Sequence, residues 1–166
     1  MLAQTFGMGK GSTVAKKLVL ACGNTLRGDD GVGWAIAERL EGDPTLGDVE
    51  VVIAHQLTPE MAEPISLADT VVFVDCSAVS RAGEVTVFPV EAARKDNASL
   101  THNVNPASLL ALASEIFASA PRRAFAVTVG GRSFELTEEL SEAVRLAIPE
   151  AVIAIVKLLN DERANP

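Results

Sequence analysis

Tyrosine is missing altogether, and one Trp with six Phe leaves the aromatic share at 4%. Proteins that hold single-stranded nucleic acid stack bases on aromatic rings, so that mode of binding has little material here. Positive charge is also in deficit: 14 Lys and Arg stand against 22 Asp and Glu, a formal net charge of -8. A phosphate backbone is held by cations, and this balance argues against one as the partner; it suits a soluble protein that meets a cation or a basic surface. Cysteine occurs only at Cys22 and Cys76, with no CxxC, which suggests neither a disulfide framework nor a Cys-rich zinc site. A reducing cytoplasm is the expected compartment. No run approaches the ~18 apolar residues of a membrane span. Lys16-Lys17 followed by Leu18 to Cys22 has the outline of a lipidated export signal, but its apolar run falls short of the about 7–15 residues that such a signal needs.

What is present is globular. With 166 residues, 48% of them hydrophobic and 22% charged, one domain is expected, and folding at this size buries roughly 70% of the surface of the unfolded chain. Residues 1–15, rich in Gly, Ser and Thr, read as a flexible leader, 16–160 as the α/β domain and 161–166 as a tail.

The apolar run Leu18 to Cys22 ends at Gly23 and reads as a buried strand, and Asp30 to Leu40 then carries helical spacing through Val32, Ile36 and Leu40. Val49 to Ala54 is a second strand, Pro59 to Leu67 a short helix capped by Thr58, and Thr70 to Asp75 a third strand. Glu84 to Val90, with Pro89 near its end, reads as a strand that either pairs with the third or lies at a sheet edge, and the edge is preferred. Glu91 to Ser99 reads as a surface loop, Ala107 to Phe117 as a helix capped by Asn105 or Ser108, and Ala124 to Val129 as the fifth strand. A last helical region, Thr137 to Leu159, should bend or break near Pro149. The βαβ alternation predicts a five-stranded, mostly parallel twisted sheet with helices on both faces, a three-layer α/β sandwich.

Several motifs fail on inspection. Gly9 to Thr13 echoes part of a phosphate-binding loop, but the required first glycine would fall at Gln4, and no strand precedes it. Gly28, Gly31 and Gly33 stand where a dinucleotide fingerprint would, with GxxGxG instead of GxGxxG, and Asp29 and Asp30 would repel a pyrophosphate.

Ligands of open parallel sheets bind outside the carboxyl ends of the strands. Asp30 follows the first strand, Asp75 closes the third, and His102 lies on the loop entering a later helix. Two carboxylates and an imidazole make a plausible site for a divalent metal, and nickel, zinc, manganese or iron would suit the donors. Plainer roles are open to each: Asp29 and Asp30 favour a helix N-terminus in any case, Asp75 can cap a turn, and His102 can be a solvated loop residue. His55, at the end of the second strand, is a substrate-cleft candidate. Cys76 beside Asp75 is a poor nucleophile candidate, because an adjacent carboxylate raises a thiol pKa.

The segment Cys22-Gly23-Asn24-Thr25-Leu26-Arg27-Gly28-Asp29-Asp30-Gly31-Val32-Gly33 resembles the signature of the hydrogenase maturation proteases, the endopeptidases that process nickel-iron hydrogenase large subunits. Leu57 to Glu60, Val72 to Asp75 and Leu100 to Asn103 resemble further stretches of that family. The resemblance implies a three-layer α/β fold in which Asp30, Asp75 and His102 bind a metal and carry catalysis. It implies that the metal is nickel already inserted in the large-subunit precursor, with another divalent ion possible in the isolated protein, and that cleavage removes a C-terminal extension. Asp29 would shape the loop or act as an outer acceptor, Arg27 would steer a substrate tail, and Gly130-Gly131 would form part of the cleft rim. The expected partner is the precursor, met by a monomer, with no nucleic acid and no membrane span. A non-catalytic checkpoint protein that binds the same nickel site, and a metal-independent acid protease or small-ligand protein, remain alternatives.

Overall fold

In the computed structural model, which describes residues 17–94 and 104–161, strand-forming and helix-forming segments alternate along the chain. The strands are β1 (Lys17–Cys22), β2 (Val49–Ala54), β3 (Thr70–Ser77), β4 (Val85–Pro89) and β5 (Arg123–Gly130). The helices are α1 (Val32–Glu41), α2 (Ala62–Leu67), α3 (Pro106–Phe117) and α4 (Glu142–Asn160). Short 3-10 turns at Gly28–Gly31 and Pro59–Met61 lead into α1 and α2. The strands form one sheet in the order β2-β1-β3-β5-β4, parallel throughout except for β4, which lies antiparallel on β5 at the edge. The edge position expected for this strand is therefore the observed one: pairing with β5 continues past Pro89 through the Val90 amide, which donates to the Ala124 carbonyl at 2.9 Å, and the amide that Pro89 lacks is not one this ladder uses.

Side chains alternate across a strand, and the sheet sorts its residues accordingly. Val19, Ala21, Val72, Val74, Val127 and Val129 face α1 and α4, while Leu18, Leu20, Val71, Phe73, Ala124 and Ala126 face α2 and α3. The near-continuous apolar runs of β1 and β3 follow from this, because both strand faces are covered. The result is the three-layer sandwich expected from the sequence. Asn105 caps α3 reciprocally with Ser108: each backbone amide donates to the other side chain at 2.9 Å.

Two boundaries differ from expectation. The helix expected from Asp30 begins at Val32, with Gly31 as N-cap and no side-chain cap, because Asp29 and Asp30 belong to the 3-10 turn before it. The last helix begins at Glu142 instead of Thr137, since Thr137 is drawn into a bridge with Arg27. Pro149 does not interrupt α4. Pro149 and Arg145, whose carbonyl loses its usual donor, are both exposed, so the orphaned group lies on the solvent side of the helix. Among the described residues no helix is long and apolar enough to cross a membrane. The leader, the His102 loop and the end of the tail lie outside the described residues.

Candidate functional site

From β1 the chain passes to β2 on one side and to β3 on the other, so a crevice opens between the carboxyl ends of β1 and β3. The turn that leaves β1 here is tightly folded. Gly23 has φ +145°, and a Cβ at this position would run into the carbonyl oxygen of Asp30. The Asn24 amide donates to Oδ2 of Asp30 at 2.9 Å, the Asn24 side chain accepts from the Leu26 amide at 2.9 Å, and Trp34 Nε1 donates to the Gly23 carbonyl at 2.8 Å. Asp30 is thereby held by its own turn at the head of the crevice.

Asp75 reaches the same place from β3. Ala21 pairs with Val74, so the next residues along the two strands, Cys22 and Asp75, arrive together at the carboxyl edge. The Asp75 Oδ1 accepts from the Cys76 amide at 2.8 Å. Among the described residues, Oδ1 of Asp30 and Oδ2 of Asp75 have no hydrogen-bond partner. Asp75 keeps solvent contact at the crevice mouth, yet the packed strand ends beside it desolvate its carboxyl and push its pKa up to about 6. The Cys76 amide pulls the other way, and the negative charge of Asp30 adds to the rise.

Both thiols sense the same pair. Burial pushes Cys22 up to about 12, with Asp75 and Asp30 contributing, and Cys76 up to about 12, with Asp30, Asp75 and Asp29 contributing. The expectation that Cys76 is a poor nucleophile agrees with this, although burial outweighs the adjacent carboxylate as the cause. The role of Cys22 as the second thiol at this centre was not legible in the sequence, because it depends on the register of β1 with β3.

Asp29, expected to shape the loop or to act as an outer acceptor at the substrate site, is engaged with the chain itself. It is fully buried, and its carboxylate accepts from the Arg132 amide at 2.7 Å, the Ser133 amide at 2.9 Å, the Ser141 amide at 2.6 Å and the Ser141 hydroxyl at 2.9 Å. Burial on its own would raise this pKa, and the hydrogen bonds together overcome it, so the carboxyl stays below the ordinary value. Asp29 clasps the segment after β5 to the turn after β1. The Asp29 amide donates to Ser133 and the Gly28 amide to Thr137, completing the clasp. No sequence motif marked Ser133 and Ser141 as its partners, which are more than a hundred residues away.

Gly130, expected at the cleft rim, is buried in the pairing of β5: its amide donates to Glu84 and its carbonyl accepts from Gly83. Gly131 is the member of that pair at the centre, where an added Cβ would come within 2.7 Å of the Cys76 sulfur. Arg27 is exposed, and its guanidinium reaches the Phe134 carbonyl at 3.4 Å. His55 is exposed at the end of β2, with its ring 5.5 Å from that of Trp34. His102 lies outside the described residues, and among the described residues no group of three or more His, Cys, Asp or Glu side chains is arranged to hold a metal ion. The described part of the site is therefore a carboxylate pair, two short of a tetrahedral ligand set.

No protein-family model matches the chain, and neither does any curated protein. Solved structures do. The hydrogenase maturating endopeptidase HybD from E. coli superposes with a TM-score of 0.66 at 23% identity, over 84% of this chain and 89% of that one. A hydrogenase 2 maturation peptidase from a Thaumarchaeota archaeon gives 0.66 at 25% identity, over 87% and 98%. The NiFe hydrogenase maturation protease HycI from Thermococcus kodakarensis gives 0.64 at 25% identity, over 89% and 94%. The chain has the fold of these endopeptidases along nearly its whole described length, in agreement with the resemblance carried by Cys22 to Gly33.

Proposed function

We propose that this protein is a hydrogenase maturation protease, a metal-directed endopeptidase that removes the C-terminal extension of a nickel-loaded large-subunit precursor. The observation that carries the reading is the pair Asp30 and Asp75, brought to the carboxyl ends of β1 and β3 with one oxygen of each left unengaged among the described residues. Two carboxylates facing one crevice are an electrostatic liability, the negative charge of Asp30 adding to the raised pKa of Asp75, and a divalent cation between them reverses it. In this reading the cation is the precursor's own nickel, part of the substrate, with His102 as third ligand. Another divalent ion would serve in the isolated protein.

Holding the nickel fixes the scissile peptide beside the carboxylates, which converts recognition into positioning. Water adds to the peptide carbonyl carbon, the carbon–nitrogen bond breaks, and the departing amine takes up a proton. Water is the attacker of choice because both nearby thiols keep their protons at neutral pH, with pKa values of about 12. Asp29 acts through the clasp, not on substrate. His55, on the Trp34 side of the crevice, and Arg27 remain candidates for contact with the substrate chain. The protein would work as a cytoplasmic monomer in a transient complex with the precursor.

The test is intact-mass spectrometry of a nickel-loaded large-subunit precursor incubated with the native protein and with Asp30→Asn. A C-terminal mass loss with the native protein alone is expected. No loss in the presence of a nickel-dependent complex would identify a non-catalytic checkpoint protein, and neither loss nor complex would sink the reading.

A further inference from the structure

At its carboxyl end, the sheet face that packs against α2 and α3 carries polar side chains in a row. Val74, Val127 and Val129 face α1 and α4, while Phe73 and Ala126 face α2 and α3, so alternation within the strands turns Asp75 and Thr128 to the α2 and α3 side. These two are Cα partners in the parallel pairing of β3 with β5, and Thr86 is the partner of Thr128 in the antiparallel pairing of β4 with β5. All three lie inside regular strands. Neighbouring strands stand about 4.8 Å apart, which puts each threonine hydroxyl one staggered rotation from the side chain beside it.

Threonine suits a strand on propensity alone. Here, however, the hydroxyls of Thr128 and Thr86 are half-buried and engage no hydrogen-bond partner among the described residues. The two preceding residues on this face of β5 are Ala124 and Ala126, and a hydroxyl enters only where the strand comes level with the carboxylate. Asp75 can accept it: the Cys76 amide engages Oδ1 and leaves Oδ2 without a partner among the described residues. Since β3 lies between β1 and β5, Asp30 approaches Asp75 from one side and Thr128 stands on the other.

We propose that Thr128 is a positioning residue for Asp75: with the precursor's nickel in place, its hydroxyl donates to the Asp75 carboxylate from the β5 side, and Thr86 donates in turn to the Thr128 oxygen. The inference rests on the proteolytic reading above and adds an orienting group to the same site. A carboxylate that ligates a cation is held in its plane by hydrogen bonds of this kind, and their removal typically costs 10–100-fold in affinity or activity.

Equilibrium binding of the nickel-loaded and the nickel-free precursor, together with steady-state processing of the loaded form, tests this. Thr128→Val keeps the branched shape and removes the hydroxyl. It is expected to weaken binding of the loaded precursor and to lower kcat/KM, each about tenfold, with binding of the nickel-free precursor and the melting temperature unchanged. Thr128→Ser, which keeps the hydroxyl, is expected to stay near native values, and Thr86→Val to act in the same direction as Thr128→Val, by less. Native binding and processing in Thr128→Val overturns the positioning role and leaves the protease standing. Equal losses in the valine and serine variants, or a melting temperature that falls with activity, assign Thr128 to packing; equal weakening with and without nickel assigns it to contact with the precursor chain. Each of these overturns the proposal. A native protein that neither cuts nor binds the precursor overturns both readings.

Discussion

Asp29 and Asp30 follow one another in the chain and end in opposite environments. Asp29 is sealed inside the clasp with four hydrogen bonds to its carboxylate, whereas Asp30 sits at the crevice with one, facing a second negative charge on Asp75. The same functional group is used for strength in one region and, in the proposed function, for binding the substrate's cation in the next. A buried carboxylate whose acceptor capacity is filled stabilises, because every partner amide would be orphaned without it. A carboxylate with an unfilled oxygen next to a like charge suits the cation of the proposed function.

The contrast breaks most severely at the clasp. Asp29→Ala leaves the Arg132, Ser133 and Ser141 amides without their acceptor and is expected to cost at least about 3 kcal/mol, read as a lowered denaturant midpoint, with processing lost as a consequence of unfolding. Gly23→Ala comes next. A side chain there meets both an unfavourable φ and the Asp30 carbonyl, and a loss of about 2 kcal/mol is expected in the same assay. Asp30→Asn is the sharpening case: stability should hold to within about 1 kcal/mol while precursor processing vanishes. A destabilisation like that of Asp29→Ala would erase the distinction between the two residues.

The smallest effect is in pH dependence, where the two regions have opposite signs. Asp29 has a lowered pKa, so its stabilisation is present above the unfolded value of ~3.9 and is lost as pH falls through the folded value. Asp75 has a raised pKa of about 6, so the folded state holds its proton more tightly; its contribution is present in acid and disappears as pH rises through about 6. Denaturant midpoints measured from about pH 4 to pH 7 should therefore show a shallow slope that Asp75→Asn removes, while the loss in stronger acid persists. Processing should fall below about pH 6 as Asp75 takes up its proton.

Much of this molecule can be read from its residues in order. The strands β1, β2, β3 and β5, the helix α3 with its Asn105 cap, and the edge position of β4 all follow from local apolar pattern and cap chemistry, and Val49–Ala54 matches the observed strand at both ends. Asp30 and Asp75 were legible as partners because the parallel-sheet rule places the residues after β1 and at the end of β3 in one crevice. The start of α4 was not legible. Thr137-Glu138-Glu139 has the composition of a helix start, but the bridge to Arg27 and the bonds from Ser141 to Asp29 draw that segment across the molecule instead.

The sequence by itself determined the layered α/β architecture and where along it the acidic residues fall, since hydrophobic period and turn chemistry are local. Only the tertiary structure decided which aspartate is buried and which is open. That choice turns on Ser133 and Ser141, more than a hundred residues downstream, and on the strand register that brings Asp75, Cys22 and Cys76 around Asp30. Desolvation and hydrogen bonding act on neighbours in space, and chain order does not encode them until the sheet has closed.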